Sequence, residues 1–272
     1  MSQRVLRYLA PNLVTGANLV FGMLSIAASV DGRPVDAAWW IIYAVLTDRV
    51  DGLIARRLKA TSDLGVQLDS FADALNFGIA PAVLVYTSLG TAPGLPFGDG
   101  LGRAALLGGC AVWVLAATFR LARYNVAVGD APGDVFFGVP TTLCGGLAAM
   151  AYLAMVKYTP EGAPLYAGDI AGPRLFGDLH TPELAWRLFP AGLWVGAFLM
   201  ASTLRMRKLG KLPSRWLFVF VMVNVAAGYV FGFARLFPEY LILPPALWLV
   251  VYLGWGFTAD ARRIQPPPLF PP

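Results

Sequence analysis

Eight apolar stretches of about 20 residues follow one another along this chain, each the length a helix needs to cross a bilayer. They run roughly 12–30, 37–57, 66–88, 101–121, 136–157, 189–204, 215–236 and 241–258. The residues between them are punctuated by turn formers, as in Asp31-Gly-Arg-Pro34, Thr91-Ala-Pro-Gly94, Gly129-Asp-Ala-Pro-Gly133 and Leu236-Phe-Pro-Glu239. Only 14% of the chain is charged and 57% is hydrophobic, where a soluble domain carries about a quarter charged residues. The pattern predicts an all-α integral membrane protein of about eight transmembrane helices. Residues 1–258 read as one transmembrane catalytic domain, and 259–272 as a Pro-rich cytoplasmic tail. No cleaved leader is evident, so the first segment is expected to remain as a span. The longest connection, Tyr158 to Arg187, is rich in Pro, Gly and acids and is expected to lie outside the membrane.

Charge then orients the spans. With both termini on the cytoplasmic side, that side receives fifteen of the 21 Lys and Arg residues, including Arg205-Met-Arg-Lys-Leu-Gly-Lys211. The net charge of +5 is accounted for by topology and anionic headgroups, and no nucleic-acid partner is expected. Cys110 and Cys144 sit singly in apolar segments and read as packing residues. His180, the one histidine, argues against mechanisms that need two.

Against this apolar background, Asp48, Asp51, Asp69 and Asp73 fall within 26 residues at the ends of the second and third segments. A carboxylate at membrane depth is expensive unless paired, hydrated or metal-bound. Positions 48, 51, 52 and 55 share one helix face, so Gly52 and Ala55 leave a shallow groove beside Asp48 and Asp51. Gly65, Asp69 and Asp73 repeat the arrangement on the next helix. Four close acids raise one another's cost of ionisation, and divalent cations relieve it. Hard oxygen ligands suit Mg²⁺, Mn²⁺ or Ca²⁺, and a pair of ions could clamp a phosphoryl group. Arg56, just past the groove, could receive a phosphate by bidentate hydrogen bonds. A cation transporter would also use intramembrane acids, although these lie near one surface and not at the midplane.

The run Asp48-x2-Asp51-Gly52-x2-Ala55-Arg56-x8-Gly65-x3-Asp69-x3-Asp73 resembles the signature of the CDP-alcohol phosphotransferases at every fixed position. The resemblance implies a six-helix core, here followed by two C-terminal spans, and two bound divalent ions, Mg²⁺ or Mn²⁺. It implies that Asp48, Asp51 and Asp69 hold one ion and Asp48, Asp69 and Asp73 the other. Gly52, Ala55, Arg56 and Gly65 would receive the CDP moiety, with Asp73 as general base, in a multi-pass homodimer. Further likenesses point to the membrane-embedded CDP-diacylglycerol–serine O-phosphatidyltransferases. They are Pro11-Asn12 through Thr15 and Asn18, Leu68 through Pro81, Phe119-Arg120-Leu-Ala-Arg123-Tyr-Asn125, and Phe136-Phe-Gly-Val-Pro140. Asn76 stands where serine is more usual, and Pro140-Thr-Thr where Pro-x-Pro is. The implied substrates are CDP-diacylglycerol, held in the bilayer, and L-serine, with CMP released into a cytoplasm-facing cavity.

The acceptor is the less constrained half. Arg120, Arg123 and Asn125 at the end of the fourth segment suit a serine carboxylate, but snorkelling explains such arginines too. Glycerol phosphate, inositol phosphate or choline remain alternatives. Thr15 and Asn18 either line the nucleotide pocket or satisfy main chain at the interface. Gly145-Gly146 reads as close helix packing.

Overall fold

The computed structural model describes the backbone of residues 3–58, 63–127, 135–166, 168, 170–207 and 214–266. Side chains are described for 13–50, 64–126, 135–166, 168, 170–207 and 214–266. The order is α1 (Gln3–Val30), α2 (Pro34–Leu58), α3 (Asp63–Asp73), a π-turn (Ala74–Ile79), α4 (Ala80–Thr91) and α5 (Gly100–Ala127). There follow β1 (Val135–Phe137), α6 (Thr141–Lys157), α7 (Glu183–Ala201), β2 (Arg205–Arg207), α8 (Arg215–Phe233), α9 (Pro238–Trp255) and the short α10 (Ala259–Arg262). All eight apolar segments fall mainly on helix. Among the described residues, five helical stretches are long and apolar enough to cross a membrane: 13–30, 64–91, 100–126, 183–201 and 215–233. Thr141–Lys157 is a shorter apolar helix.

Three segments differ from expectation. The fifth was expected to be helical from 136, yet 135–137 are extended and the helix begins at Thr141. Gly138 takes a φ of 77°, open to glycine, and Pro140 holds the residue before it out of the helical region. β1 then pairs antiparallel with β2, Phe136 opposite Met206, so part of the basic Arg205–Lys211 loop is a strand. The connection after α6 is also shorter than expected, since α7 starts at Glu183 behind Pro182.

The third segment is not one regular helix. A π-turn separates α3 from α4 and starts at the residue after Asp73. Such wide turns are poor alone and persist where neighbours hold them. Here the Trp113 indole on α5 donates to the Phe77 carbonyl at 3.1 Å. On the other side α6 comes so close that a Cβ at Gly145 would sit 2.7 Å from the Phe77 Cβ. Sequence reading assigned Gly145 to close packing, and that is where the structure puts it.

The core joins α2, α4, α5 and α6 through Trp39, Ile41, Ile42, Phe77, Leu84, Leu106, Trp113, Tyr152 and Leu153. Small residues at Ala37, Ala38 and Ala44 let α1 and α2 pack closely, and the Ser25 hydroxyl donates across to the Ala37 carbonyl at 2.9 Å. The antiparallel helices leave two distinct ends. One gathers Asp48, α3, the β1–β2 ribbon, and the start of α6. The other gathers the 31–33 turn, the 158–182 connection and the turn between α8 and α9.

Candidate active site

Three of the four aspartates meet. One carboxylate oxygen each from Asp48 on α2 and Asp69 and Asp73 on α3 lie within 4.8 Å of one another. Helical spacing of four residues puts Asp69 and Asp73 on one face, and that face turns toward Asp48. Asp73 is buried, Asp48 half-buried and Asp69 exposed, so the cluster opens outward past Asp69. Gly65 is half-buried one turn before Asp69. Asp51, Gly52, Ala55 and Arg56 lie on α2 but outside the residues whose side chains are described, so the fourth acid and the groove remain expectations.

The cluster fits a hard divalent ion on its chemistry. Three carboxylates from two helices converge at a separation where like charges oppose one another, and all the donors are oxygen. Mg²⁺ or Mn²⁺ suits that donor set better than zinc or copper, which favour nitrogen or sulfur ligands.

The two arginines part company. Arg120 is buried, its charge within Coulombic range of Asp73. Its guanidinium donates to the Thr141 hydroxyl at 3.2 Å and lies over the rings of Tyr124, at 5.5 Å, and Phe136, at 5.9 Å. Arg123 instead donates to four main-chain carbonyls: Ala201, Phe137, Met200 and Ser202, at 2.7–3.3 Å. It closes the C-terminal end of α7 and ties it to β1, which makes it a brace. Asn125 donates to the Ser70 hydroxyl at 2.9 Å and so links α5 to α3 beside Asp69.

With that geometry in hand, the comparison with known proteins is specific. The family model described as CDP-alcohol phosphatidyltransferase matches residues 8–171. The chain belongs to that family. A CDP-diacylglycerol–serine O-phosphatidyltransferase of Helicobacter pylori is 32% identical over 151 residues, covering 56% of this chain and 60% of that protein. One of the same description from Bacillus subtilis is 34% identical over 136 residues, 50% of this chain and 70% of that one. An archaetidylserine synthase of Methanothermobacter thermautotrophicus is 32% identical over 145 residues, 53% of this chain and 57% of that one. The chain thus spans about three fifths of the length of the first of these relatives.

The matched CDP-alcohol phosphatidyltransferase region contains every described residue of the cluster, and also groups that sequence reading left without a role. The Thr142 hydroxyl lies 3.5 Å from Asp48 Oδ2, a long contact at the start of α6. Thr141 beside it takes Arg120. Pro140-Thr-Thr had been noticed only as a departure from the family pattern, yet it is the link between acid cluster and buried arginine. Tyr124 and Phe136 lay within noted motifs, but nothing in one dimension says that both rings flank Arg120. Thr15 is buried on α1. Asn18, expected near the nucleotide, is fully buried and accepts hydrogen bonds from Asn76 Nδ2 on both its side-chain and its main-chain oxygen, each at 3.1 Å.

Proposed function

We propose that this protein transfers the phosphatidyl group of CDP-diacylglycerol to the hydroxyl of L-serine, giving phosphatidylserine and CMP. The observation that carries the reading is the convergence of Asp48, Asp69 and Asp73 beside a buried arginine, in a chain of this family. Relatives described as serine phosphatidyltransferases favour serine over glycerol phosphate, inositol phosphate or choline.

In this reading Asp48, Asp51, Asp69 and Asp73 hold two divalent ions, Mg²⁺ or Mn²⁺. Bound there, the ions supply neutralisation for the diphosphate and the departing CMP. Gly52, Ala55 and Gly65 leave room for the nucleotide, with Thr15 at its edge, and Arg56 receives a phosphate oxygen. Arg120 offers its fork to the serine carboxylate, pre-oriented by Thr141 and the two rings. Arg123 and Asn125 act on the acceptor only indirectly, by fixing α5 against α7 and α3. Asp73 takes the proton from the serine hydroxyl as the oxygen attacks the phosphorus bearing the diacylglycerol. The Ser70 hydroxyl beside Asp69 is engaged, donating to the Val66 carbonyl at 3.0 Å and accepting from Asn125, and the transfer is read as direct attack.

The surrounding architecture is read as eight spans with both termini and the acid cluster on the cytoplasmic side, from the Lys and Arg bias. Two such chains are proposed to form a homodimer. Purified protein supplied with CDP-diacylglycerol, Mn²⁺ and a panel of alcohols tests the function. CMP release that depends on serine supports it. Release with a different alcohol reassigns the acceptor, and cation flux in liposomes without any CMP release would sink the enzymatic reading.

A further inference from the structure

Asn18 and Asn76 form a buried amide pair that no part of the proposed chemistry uses. Asn76 sits inside the π-turn, three residues beyond Asp73, and Asn18 faces it from α1. Both side chains are almost fully buried, and the Asn76 amide gives two hydrogen bonds of 3.1 Å to residue 18. Asn18 Oδ1 is also 3.2 Å from the Thr47 hydroxyl, which shares its proton with the Tyr43 carbonyl at 2.8 Å. Thr47 immediately precedes Asp48. A short path therefore runs from one acid to the other, Asp48–Thr47–Asn18–Asn76–Asp73, from α2 through α1 and the π-turn to the end of α3.

Packing alone does not call for this arrangement. Asn18 Nδ2 and Asn76 Oδ1 are buried with no hydrogen-bond partner among the described residues, an expense an apolar pair of similar shape would avoid. α1 also comes so near that a Cβ at Gly22, one turn past Asn18, would collide with the Asn76 side-chain oxygen. The contact is thus both tight and polar. The π-turn is held by Trp113 from α5 and by the close approach of α6 at Gly145, and the amide pair ties it by hydrogen bonds to α1 and, through Thr47, to α2.

We propose that Asn76 and Asn18 are positioning residues: their amide pair fixes the π-turn against α1 and thereby sets the separation of the Asp73 and Asp48 carboxylates. Cation affinity then depends on a hydrogen bond that touches neither cation nor substrate. The inference rests on the reading of the acids as a cation site, and its test separates the two.

Mn²⁺ binding to the purified full-length protein is measured by the loss of the free-ion electron paramagnetic resonance signal, alongside thermal unfolding. Asn76→Ala removes both bonds and is expected to raise the Mn²⁺ dissociation constant about tenfold, the low end of what outer-shell changes cost. Asn18→Ala leaves the bond to the main-chain oxygen of residue 18 and is expected to cost about a third of that factor. It carries the test if Asn76→Ala does not fold. Trp186→Phe, which loses the bond to Thr159 at the opposite end, is the control: a lower unfolding temperature with unchanged Mn²⁺ affinity. Wild-type affinity in the folded asparagine variants overturns the proposal, as does an equal loss of affinity in Trp186→Phe. If the wild-type protein binds no Mn²⁺, or Asp69→Asn binds it equally well, the cation reading itself fails.

Discussion

At the end of the bundle that holds the 158–182 connection, Lys157 donates to Glu239 at 2.8 Å with both side chains almost fully buried. Glu239 Oε1 also accepts from the Tyr158 hydroxyl and the Leu175 N–H, while Lys157 reaches the Pro173 carbonyl. Nearby, Arg235 pairs with Asp36 at 2.7 Å and with the Tyr43 hydroxyl at 3.0 Å. At the opposite end three carboxylates crowd together with one buried arginine in range. Opposite charges pair where they fasten helices and loop, and like charges converge where a cationic ligand would offset them. The difference teaches where to look for function in a membrane bundle: at like charges held together, and not at buried ion pairs as such.

That contrast can be broken by substitution at either end. The largest expected effect is at Asp73. Asp73→Asn should cut CMP release about 1000-fold, within the range for loss of a general base, with the unfolding temperature scarcely lowered. Normal turnover by this variant would remove Asp73 as the base. Next is Glu239→Leu, which strands a buried ammonium and should cost about 3 kcal/mol of stability. Its turnover per folded molecule should stay near wild type, and a selective loss of turnover would erase the division between the two ends. Arg120→Lys keeps a charge but loses the planar fork, so kcat/KM for serine should fall about 30-fold. The KM for CDP-diacylglycerol should hardly change, and equal losses for both substrates would shift Arg120 from acceptor to donor. The mildest is a metal titration. Mn²⁺ should raise the unfolding temperature by mass action, and by less in Asp69→Asn, whose metal-free form should be slightly the more stable for losing one like charge. An equal rise in both would place the ion elsewhere.

Much of this was legible in one dimension, and the reasons are physical. Apolar runs of span length marked the helices because lipid leaves the main chain few alternatives. Asp69 and Asp73 could be put on one face because their spacing is that of a helical turn. Interruptions were harder. The π-turn at Ala74–Ile79 depends on Trp113 and Gly145, contributed by α5 and α6, and local propensity says nothing about either. β1 was masked by apolar Val135, Phe136 and Phe137, whose composition suits the helix that follows as well as a strand. Arg120 and Arg123 share a helix face and read alike. Only the folded chain separates them, one onto the Thr141 hydroxyl between two rings and the other into a nest of carbonyls. Asn76 was visible as a departure from pattern, but its partner lies 58 residues earlier.

The Arg123 brace has a consequence for modularity. The family match ends at residue 171, yet this arginine, from within the match, grips carbonyls 200–202 beyond it. The later helices are therefore not a detachable appendage that relatives could exchange freely. A chimera joined between α6 and α7 would have to inherit a helix terminus that presents the same set of oxygens. A lysine at 123, with its single nitrogen, could not span them. The boundary of recognisable ancestry and the boundary of mechanical independence fall in different places along this chain.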